Sequence, residues 1–576
     1  MKRLQKYSYW FICTVVLVII ALLALPAEQD SRLLFCLKNS GRTEEISIYE
    51  AEDGNRYVFL PSYADLEDLT IAMSSDLLVS LGGVTMSNGM SCREFQRNLP
   101  YPLKINGEDK ANLYFYQSAN VATMYIDTES GSMDDIYADQ EHREYAALRL
   151  YTPSGKLEYI DRNCFLKGRG NSTWDAQKKP FLLRLCGEAD LLGMGKDADW
   201  VLLANNHDES NLHNKLLLDM ADRAIEDWTP RCEYVDLYLN GQYNGLYLLA
   251  EKVEIGKNRL DLDTGAGDFL CSVDFSLRIS KLDHPFYTAN DRTVSICEPT
   301  VLSVEAKQRI MNLVNRQERI LLSQEDLTQS EFVDIDSWIR KYLVDEIAAN
   351  TDSDLSSSYF YYSDGVFYGG PVWDYDMALG NTIQTHYPKA FIAKNYLKYS
   401  SRFHSVYYAA LFSNESFVKR LSEIYEKEFL PVLNDMIDHE IRDTADRIAL
   451  AARMNQLRWP VYACDHPEYS LWERYINTGD SILYYLKERT AFLTDVLVNK
   501  VPYCTVRFEL PTKVCWTVSV PCGSVLKNTD VVNEPLYGDI YDKAWHLSVT
   551  DTLFDPDTPI TEDMVLVAQN SDAAAG

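Results

Sequence analysis

The chain has 576 residues, 46% of them hydrophobic and 24% charged, which is typical of a globular protein with about two to four domains. Its formal net charge of -30 and its pI near 4.7 exclude bulk electrostatic binding to nucleic acid or to anionic lipid. This charge favours a soluble surface protein, or one whose partners are basic. A surface protein rich in Ser and Thr is also an expected partner, although the charge does not bear on it.

Residues 1–27 combine basic side chains with a long apolar run. Lys2, Arg3 and Lys6 precede a mainly apolar stretch that extends from Tyr9 to Leu25. Its length lies between that of a signal peptide and that of a membrane anchor. Because Leu25 is bulky for the small-residue position before a cleavage site, an uncleaved anchor is favoured over a cleaved signal peptide. In both cases the rest of the chain is expected to be exported and to lie at the cell surface.

The twelve cysteines contain no C-x-x-C pair and no zinc-type Cys/His spacing. Three of them, Cys504, Cys515 and Cys522, cluster near the end of the chain. A Cys515–Cys522 bridge across a hairpin and buried free thiols are both consistent with this pattern.

Residues 28–120 have the alternating pattern of short β-strands. Ile46 and Ile48 lie two positions apart, and the apolar runs over 57–60 and 113–116 are strand-like. The segment predicts a β-rich leader domain without chemistry of its own.

A glycine-rich turn follows a predicted strand at Phe165–Lys167. Gly168, Arg169 and Gly170 begin this turn, and a second strand follows from Lys178 to Leu185. Backbone N–H groups unobstructed by side chains bind anions, and Arg169 adds positive charge, but an ordinary hairpin has the same pattern. Lys178 and Lys179 suit a lysine that reaches phosphates; solvated side chains at a strand start are the alternative.

The next predicted elements are a helix and a hairpin. Ser210 is placed to cap a helix over 212–225. Two strands over 235–239 and 245–250 flank Asn240-Gly241, which strongly indicates a two-residue hairpin turn. Glu251 ends the second strand, either near an adenine or as a solvated partner of Lys252.

Residues 303–350 and 401–500 predict amphipathic helices, for example over 417–429 and 482–498. The first of these regions ends just before Asp352, a carboxylate placed to orient a substrate hydroxyl. Asp354 competes for that role, and simple loop solvation is the alternative for either residue.

Two further carboxylates, Asp374 and Asp376, follow the turn Gly369-Gly370-Pro371. An Asp-x-Asp pair after a strand presents two hard oxygen ligands, which suit Mg²⁺ or Mn²⁺ rather than zinc. Apolar neighbours indicate partial burial, and a buried carboxylate needs a partner or a metal ion.

These segments together resemble the CotH family of spore-coat protein kinases over about residues 120–500. The resemblance depends on the following stretches in their order: Met124–Thr128, Lys167–Trp174, Lys178–Phe181, Val235–Tyr247, Glu251-Lys252 and Gly370–Asp376. It implies a minimal, atypical protein kinase that binds ATP with Mg²⁺ or Mn²⁺ and phosphorylates Ser or Thr.

The resemblance also implies roles for individual residues. Lys179, with Lys178 as its rival, corresponds to the phosphate lysine, and the chain near Glu251 corresponds to the nucleotide hinge. Asp352 corresponds to the catalytic aspartate, and Asp374 to the metal-binding aspartate, with Asp376 beside it. The cofactor-binding residues it implies are Arg169, Gly170, Lys178, Lys179 and Glu251.

Ser357 departs from the kinase pattern. It occupies the position five residues after Asp352, where protein kinases carry a metal-binding Asn. Because a hydroxyl is a weaker metal ligand than an amide oxygen, this substitution puts the second metal, or activity itself, in question.

The expected fold class is α+β, with a two-lobed atypical kinase core over 121–500. The β-rich domain precedes this core, and a small β module over 501–576 follows it. The segment Asp555–Ala568 of that module resembles an internalin-type B repeat with a β-grasp fold.

The function that follows is an exported, membrane-anchored protein Ser/Thr kinase. A catalytically inactive surface scaffold or adhesin, and a kinase-like enzyme that transfers AMP, are the alternatives.

Overall fold

The computed structural model describes residues 33–225, 227–350, 353, 355–379, 406–460, 479–509, 515–526 and 544–568. The apolar segment predicted over 1–27 lies outside these ranges. Within them, no helix has both the length and the apolar character needed to cross a membrane.

The N-terminal region is β-rich, as expected. Strands β1 to β9 cover Leu33–Asn39, Arg42–Ser47, Tyr49–Glu50, Arg56–Leu60, Leu69–Met73, Val79–Leu81, Val84–Met86, Tyr101–Ile105 and Glu108–Gln117. They form a three-stranded sheet in the order β2-β1-β5 and a six-stranded sheet in the order β3-β4-β9-β8-β6-β7. Alternate residues of β1 are buried, and Phe35 packs edge-on against Phe115 of the other sheet at 5.4 Å. The boundaries predicted for this domain stay predictions.

A closed β-barrel follows. Strands β10 to β16 cover Ala122–Thr128, Glu144–Tyr151, Leu157–Gly168, Phe181–Asp190, Lys196–Leu203, Cys232–Leu239 and Gln242–Glu251. They close in the order β10-β11-β12-β13-β14-β16-β15, with β10 parallel to β15. Apolar side chains such as Met124, Leu166 and Trp200 fill a core with no exposed surface. The N-terminal region packs on this barrel, where Arg149 pairs with buried Glu44 at 2.8 Å.

The predicted hairpin and helix of the barrel region are confirmed. Asn240 and Gly241, with φ of 49° and 75°, join β15 to β16 in the left-handed conformation that such a turn requires. Helices α1 (Asp134–Ala138) and α2 (Ser172–Asp175) are short, and α3 covers His213–Ala224. The N-cap residue of α3 is Leu212, whose side chain makes no capping hydrogen bond, so the predicted cap at Ser210 was wrong. Asp208 accepts the His213 N–H at 2.8 Å, and Ser210 accepts the Leu212 N–H.

A five-stranded sheet, called the second sheet below because it follows the barrel, and a set of helices come next along the chain. Strands β17 to β21 cover Phe269–Val273, Phe286–Tyr287, Thr293–Glu298, Ser358–Ser363 and Val366–Gly369, in the order β18-β19-β17-β20-β21. Helices α4 to α10 cover Val304–Leu321, Ile335–Ala348, Val406–Phe412, Glu415–Ile424, Leu430–Asp435, Ile441–Arg458 and Gly479–Leu497. π-helical turns at Tyr425–Phe429 and Met436–Glu440 make α7, α8 and α9 one continuous path. The predicted helical character of 303–350 and 401–500 is confirmed for the residues of these regions that the structure describes.

A small four-stranded sheet ends the described chain. Strands β22 to β25 cover Tyr503–Glu509, Cys515–Pro521, Trp545–Leu547 and Met564–Ala568. Their order is β23-β22-β25-β24, with β22 and β25 parallel. The β-grasp identity predicted for this module stays a prediction.

A disulfide in this module joins Cys504 to Cys522, with Cα atoms 5.1 Å apart. The suggested Cys515–Cys522 pairing was therefore wrong. The reason is the register of the hairpin, which places Cys504 opposite Val520, near Cys522, whereas Cys515 lies at the far end opposite Glu509.

Replacing Cys504 and Cys522 together with Ser is expected to destabilise the module by about 3 kcal/mol, because the bridge no longer restricts the unfolded chain. Proteolysis in increasing urea, followed by mass spectrometry of β22–β25 peptides, measures this loss. Cys186→Ser, at an exposed free thiol, is the control. A non-reduced peptide map that links Cys515 to either partner would contradict the pairing.

Candidate active site

A cavity of about 230 Å³ lies between the barrel and the second sheet. Polar side chains from six segments line it: the turn after β12, the loop after β14, helix α3, the end of β17 with the residues after it, the segment that leads into β20, and the segment after β21. The polar lining residues are Arg169, Asn171, Thr173, Asn205, Asn206, His207, Asn214, Ser272, Asp274, Arg278, Asn350, Ser356, Ser357, Tyr359, Asp374 and Asp376.

The glycine-rich turn forms one wall of this cavity. Strands β12 and β13 pair on either side of the turn, which contains the short helix α2. Gly170 has a φ of +91°, and a Cβ there would fall 2.3 Å from Oγ1 of Thr173. A Cβ on Gly168 would fall 2.4 Å from the Trp174 ring. Both glycines are therefore required by the packing of the turn.

Arg169 extends from this turn towards the acidic residues. Its guanidinium lies 5.7 Å from the centre of the Trp373 ring, and Arg169 and Trp373 both line the cavity. Burial lowers the pKa of Arg169, while the charges of Asp374 and Asp376 act in the opposite direction. Because the pKa of an arginine starts above 12, the side chain stays charged at neutral pH.

The predicted acidic pair faces the same cavity. Asp374 is exposed and has a left-handed φ of +72°. Ser357 donates a hydrogen bond to Asp374 Oδ2 at 2.9 Å, which joins two of the predicted metal residues. Asp376 is only 7% exposed and also lines the cavity.

The donor set of this pair fits magnesium. No three His, Cys, Asp or Glu side chains within the described ranges converge closely enough to hold a metal ion. Asp374 and Asp376 are two hard oxygen donors, and both line the cavity. Mg²⁺ in phosphotransfer sites is usually bound by one or two carboxylates together with water and substrate phosphates.

Helix α3 holds the acidic segment in place. Asn214 Oδ1 accepts the Tyr375 N–H at 2.8 Å, and Asn214 Nδ2 donates to Asn205 Oδ1 at 3.1 Å. His213 Nδ1 lies 3.2 Å from the carbonyl oxygen of Asp376. The Tyr375 hydroxyl donates to Asp345 of α5 at 3.0 Å. These buried contacts fix the backbone that carries both carboxylates.

Asn214→Leu is expected to destabilise the protein by about 1–3 kcal/mol, because the buried N–H of Tyr375 loses its acceptor. We also expect weaker nucleotide-dependent phosphoryl transfer, since Asp374 and Asp376 would no longer be held in register. Thermal unfolding and a transfer assay measure the two effects. Asn312→Leu, on the exposed face of α4, is the control; equal behaviour of the two variants would contradict the role of Asn214.

The two predicted phosphate lysines do not line the cavity. Lys178 is buried, and its Nζ donates to the carbonyl oxygens of Ala204 at 2.9 Å and Leu246 at 2.5 Å. Burial lowers the pKa of Lys178 to about 7, and Asp236 acts in the opposite direction. Lys179 donates to the carbonyl oxygen of Trp174 and lies over that residue's ring. Both amino groups therefore bind the backbone, and their phosphate role stays a prediction.

Glu251 is neither solvated nor among the residues that line the cavity. Its side chain is fully buried, and Oε1 pairs with Arg259 at 2.6 Å and with Arg231 at 3.1 Å. Its other oxygen accepts the Arg231 N–H at 2.8 Å. The expectation of a solvated partner for Lys252 was wrong, because Arg231 and Arg259, which lie outside β16, neutralise this carboxylate.

Asp352 and its rival Asp354 lie outside the described residues. Asn350 and Ser356, the nearest cavity residues on either side of them in the chain, both line the cavity. Sequence reasoning missed Asp274, Arg278, Asn205 and His207. A signal for the last two was present, since they belong to the polar run that follows the apolar strand β14.

His207 is half-buried at the cavity wall. Burial lowers the pKa of His207, although the charge of Asp374 acts in the opposite direction. The imidazole is therefore neutral at physiological pH.

One family model, described as CotH kinase protein, matches residues 166–493, which is more than half of the chain. The match begins near the end of β12, and it contains the glycine-rich turn, the acidic segment and all of the cavity-lining residues. No curated protein matches the chain.

Proposed function

The chain belongs to the CotH kinase protein family, and from that premise we propose that it is an exported protein kinase with a two-lobed, atypical kinase core. It transfers the γ-phosphoryl group of ATP to Ser or Thr hydroxyls of a protein substrate. The observation that carries this proposal is the meeting of Arg169, Asp374 and Asp376 at one cavity. A cation beside the phosphates and carboxylates that can hold a metal ion are groups that phosphoryl transfer uses.

Catalysis depends on positioning and electrostatics. Asp374 and Asp376 would hold Mg²⁺, which when bound neutralises phosphate charge during transfer. Gly170 allows the turn to approach the phosphates closely, and Arg169 supplies positive charge beside them. Asp352 is assigned to orient the acceptor hydroxyl, as the family resemblance implies.

Three observations support a location outside the cytoplasm and a basic substrate. The basic and apolar segment over 1–27 is typical of export signals and anchors. The Cys504–Cys522 bridge is typical of proteins in oxidising compartments. The net charge of -30 favours encounter with positively charged proteins rather than nucleic acid.

An inactive surface scaffold is the second candidate, and one contact favours it. Ser357 replaces the kinase Asn, and its hydroxyl already binds Oδ2 of Asp374. An amide oxygen that would bind a second metal ion is therefore missing at this position.

Incubation of the full chain with ATP labelled at the α or the γ position, Mg²⁺ or Mn²⁺ and a basic protein tests the proposal. Label transferred from the γ position alone is the expected result. Label from the α position would instead show AMP transfer. Absence of nucleotide binding would favour the inactive surface scaffold.

A further inference from the structure

Arg278 is a second guanidinium among the residues that line the cavity. It lies in the 3₁₀ helix Ser276–Lys281, directly after β17, and 27% of its side chain is exposed. Its Nη1 donates to Ser356 Oγ at 3.2 Å and to Asp274 Oδ1 at 3.4 Å. Ser356 precedes Ser357, the residue that contacts Asp374. Arg278 is thus held beside the acidic segment.

These contacts leave much of the guanidinium available. The contact with Asp274 is longer than the roughly 2.7–2.9 Å that is usual for hydrogen bonds between charged groups, and the contact with Ser356 is a bond to a neutral hydroxyl. Within the described ranges, Nε and Nη2 of Arg278 donate to no residue. Arginine presents its N–H groups as a planar fork, which matches two oxygens of a phosphate group.

The charged side chains that line the cavity show which groups can bind phosphate there. Its described lining contains three carboxylates, Asp274, Asp374 and Asp376, and two charged cations, Arg169 and Arg278. The amino groups of Lys178 and Lys179 bind backbone carbonyls, and His207 is neutral. Among the described lining residues, Arg169 and Arg278 are therefore the charged cations that a nucleoside triphosphate in this cavity can contact.

We propose that Arg169 and Arg278 form a two-arginine site for the β- and γ-phosphates of a nucleoside triphosphate. This inference rests on the proposed function. In this site Arg278 takes part in the phosphate binding that the family resemblance assigns to a lysine, and Asp274 and Ser356 keep its guanidinium at the cavity wall.

The test compares the affinities of the full chain for adenosine, AMP, ADP and ATP in the presence of Mg²⁺, by calorimetry. For Arg278→Ala we expect a Kd for ADP and ATP about tenfold to a hundredfold higher, because a charge-assisted hydrogen bond is lost. The Kd for adenosine should not change. Arg278→Lys, which keeps the charge but not the fork, should show a smaller loss for ATP.

Arg143→Ala is the matched control, since Arg143 is exposed and lies 5.3 Å from the Phe165 ring, as Arg278 lies from the Phe275 ring. An unchanged ATP affinity of Arg278→Ala would overturn the inference alone. An equal loss for adenosine and ATP would show a structural role and would overturn it as well. Failure of the unaltered chain to bind any of the nucleotides would overturn the proposed function together with the inference. If Arg278→Ala does not fold, the Kd values of Arg278→Lys for ATP and adenosine are compared instead, and an unchanged ATP affinity would again overturn the inference.

Discussion

Asp374→Asn is expected to lower γ-phosphoryl transfer at least about a hundredfold, because the charge that would hold Mg²⁺ against the phosphates is removed. The fold should remain intact, since the Asp374 side chain is exposed. Asn suits this position better than Ala, because Asp374 has a φ of +72° and Asn tolerates the left-handed region. Transfer of label from γ-labelled ATP, with circular dichroism of the same sample, measures both effects.

Asp364→Asn is the matched control for this variant. Asp364 is also exposed and left-handed, with a φ of 48°, but it lies in the turn between β20 and β21, away from the cavity lining. Its variant should transfer phosphate at the normal rate. If Asp374→Asn retained that rate too, Asp374 would have no part in the reaction.

Arg489→Met is expected to have the largest effect on stability, a loss of about 3–5 kcal/mol. Arg489 of α10 and Glu346 of α5 are both buried, and their side chains pair at 2.7 Å. Without the arginine, the buried Glu346 carboxylate loses the positive charge that pairs with it at 2.7 Å. Because α5 also carries Asp345, which holds Tyr375, the loss should extend to the acidic segment. Native-state hydrogen exchange of α5 and α10 measures it.

Two comparisons separate this effect from simple loss of packing. Arg93→Met breaks an exposed pair with Glu94 and should change stability by about 0.5 kcal/mol or less. The double variant Arg489→Met with Glu346→Gln removes both charges and should regain most of the loss. A single variant as stable as the double variant would contradict a charge-based explanation.

Local patterns predicted many elements correctly. The Asn240-Gly241 turn and the helix Ile335–Ala348 are set by the residues themselves. The glycine-rich turn and the acidic pair were also found, because Gly168, Gly170 and the Asp-x-Asp spacing act over a few residues.

Long-range pairing lay beyond that reasoning. The barrel closes where Ile126 of β10 pairs in parallel with Leu239 of β15, more than a hundred residues later. The partner of Cys522 depended on the register of β22 against β23. Neither arrangement has a local signal.

The amino-acid order by itself determined which segments become strands, turns and helices, since backbone conformation and hydrophobic periodicity are local properties. It also showed that Arg169, Asp374 and Asp376 follow predicted strands. Only the tertiary structure decided which charged groups reach the cavity. Lys178 is buried against backbone carbonyls, and Glu251 is buried against two arginines. Arg278, in contrast, reaches the cavity from the 3₁₀ helix that follows β17. The free energy of a charge depends on its solvent exposure and on its partners, and distant parts of the chain supply both.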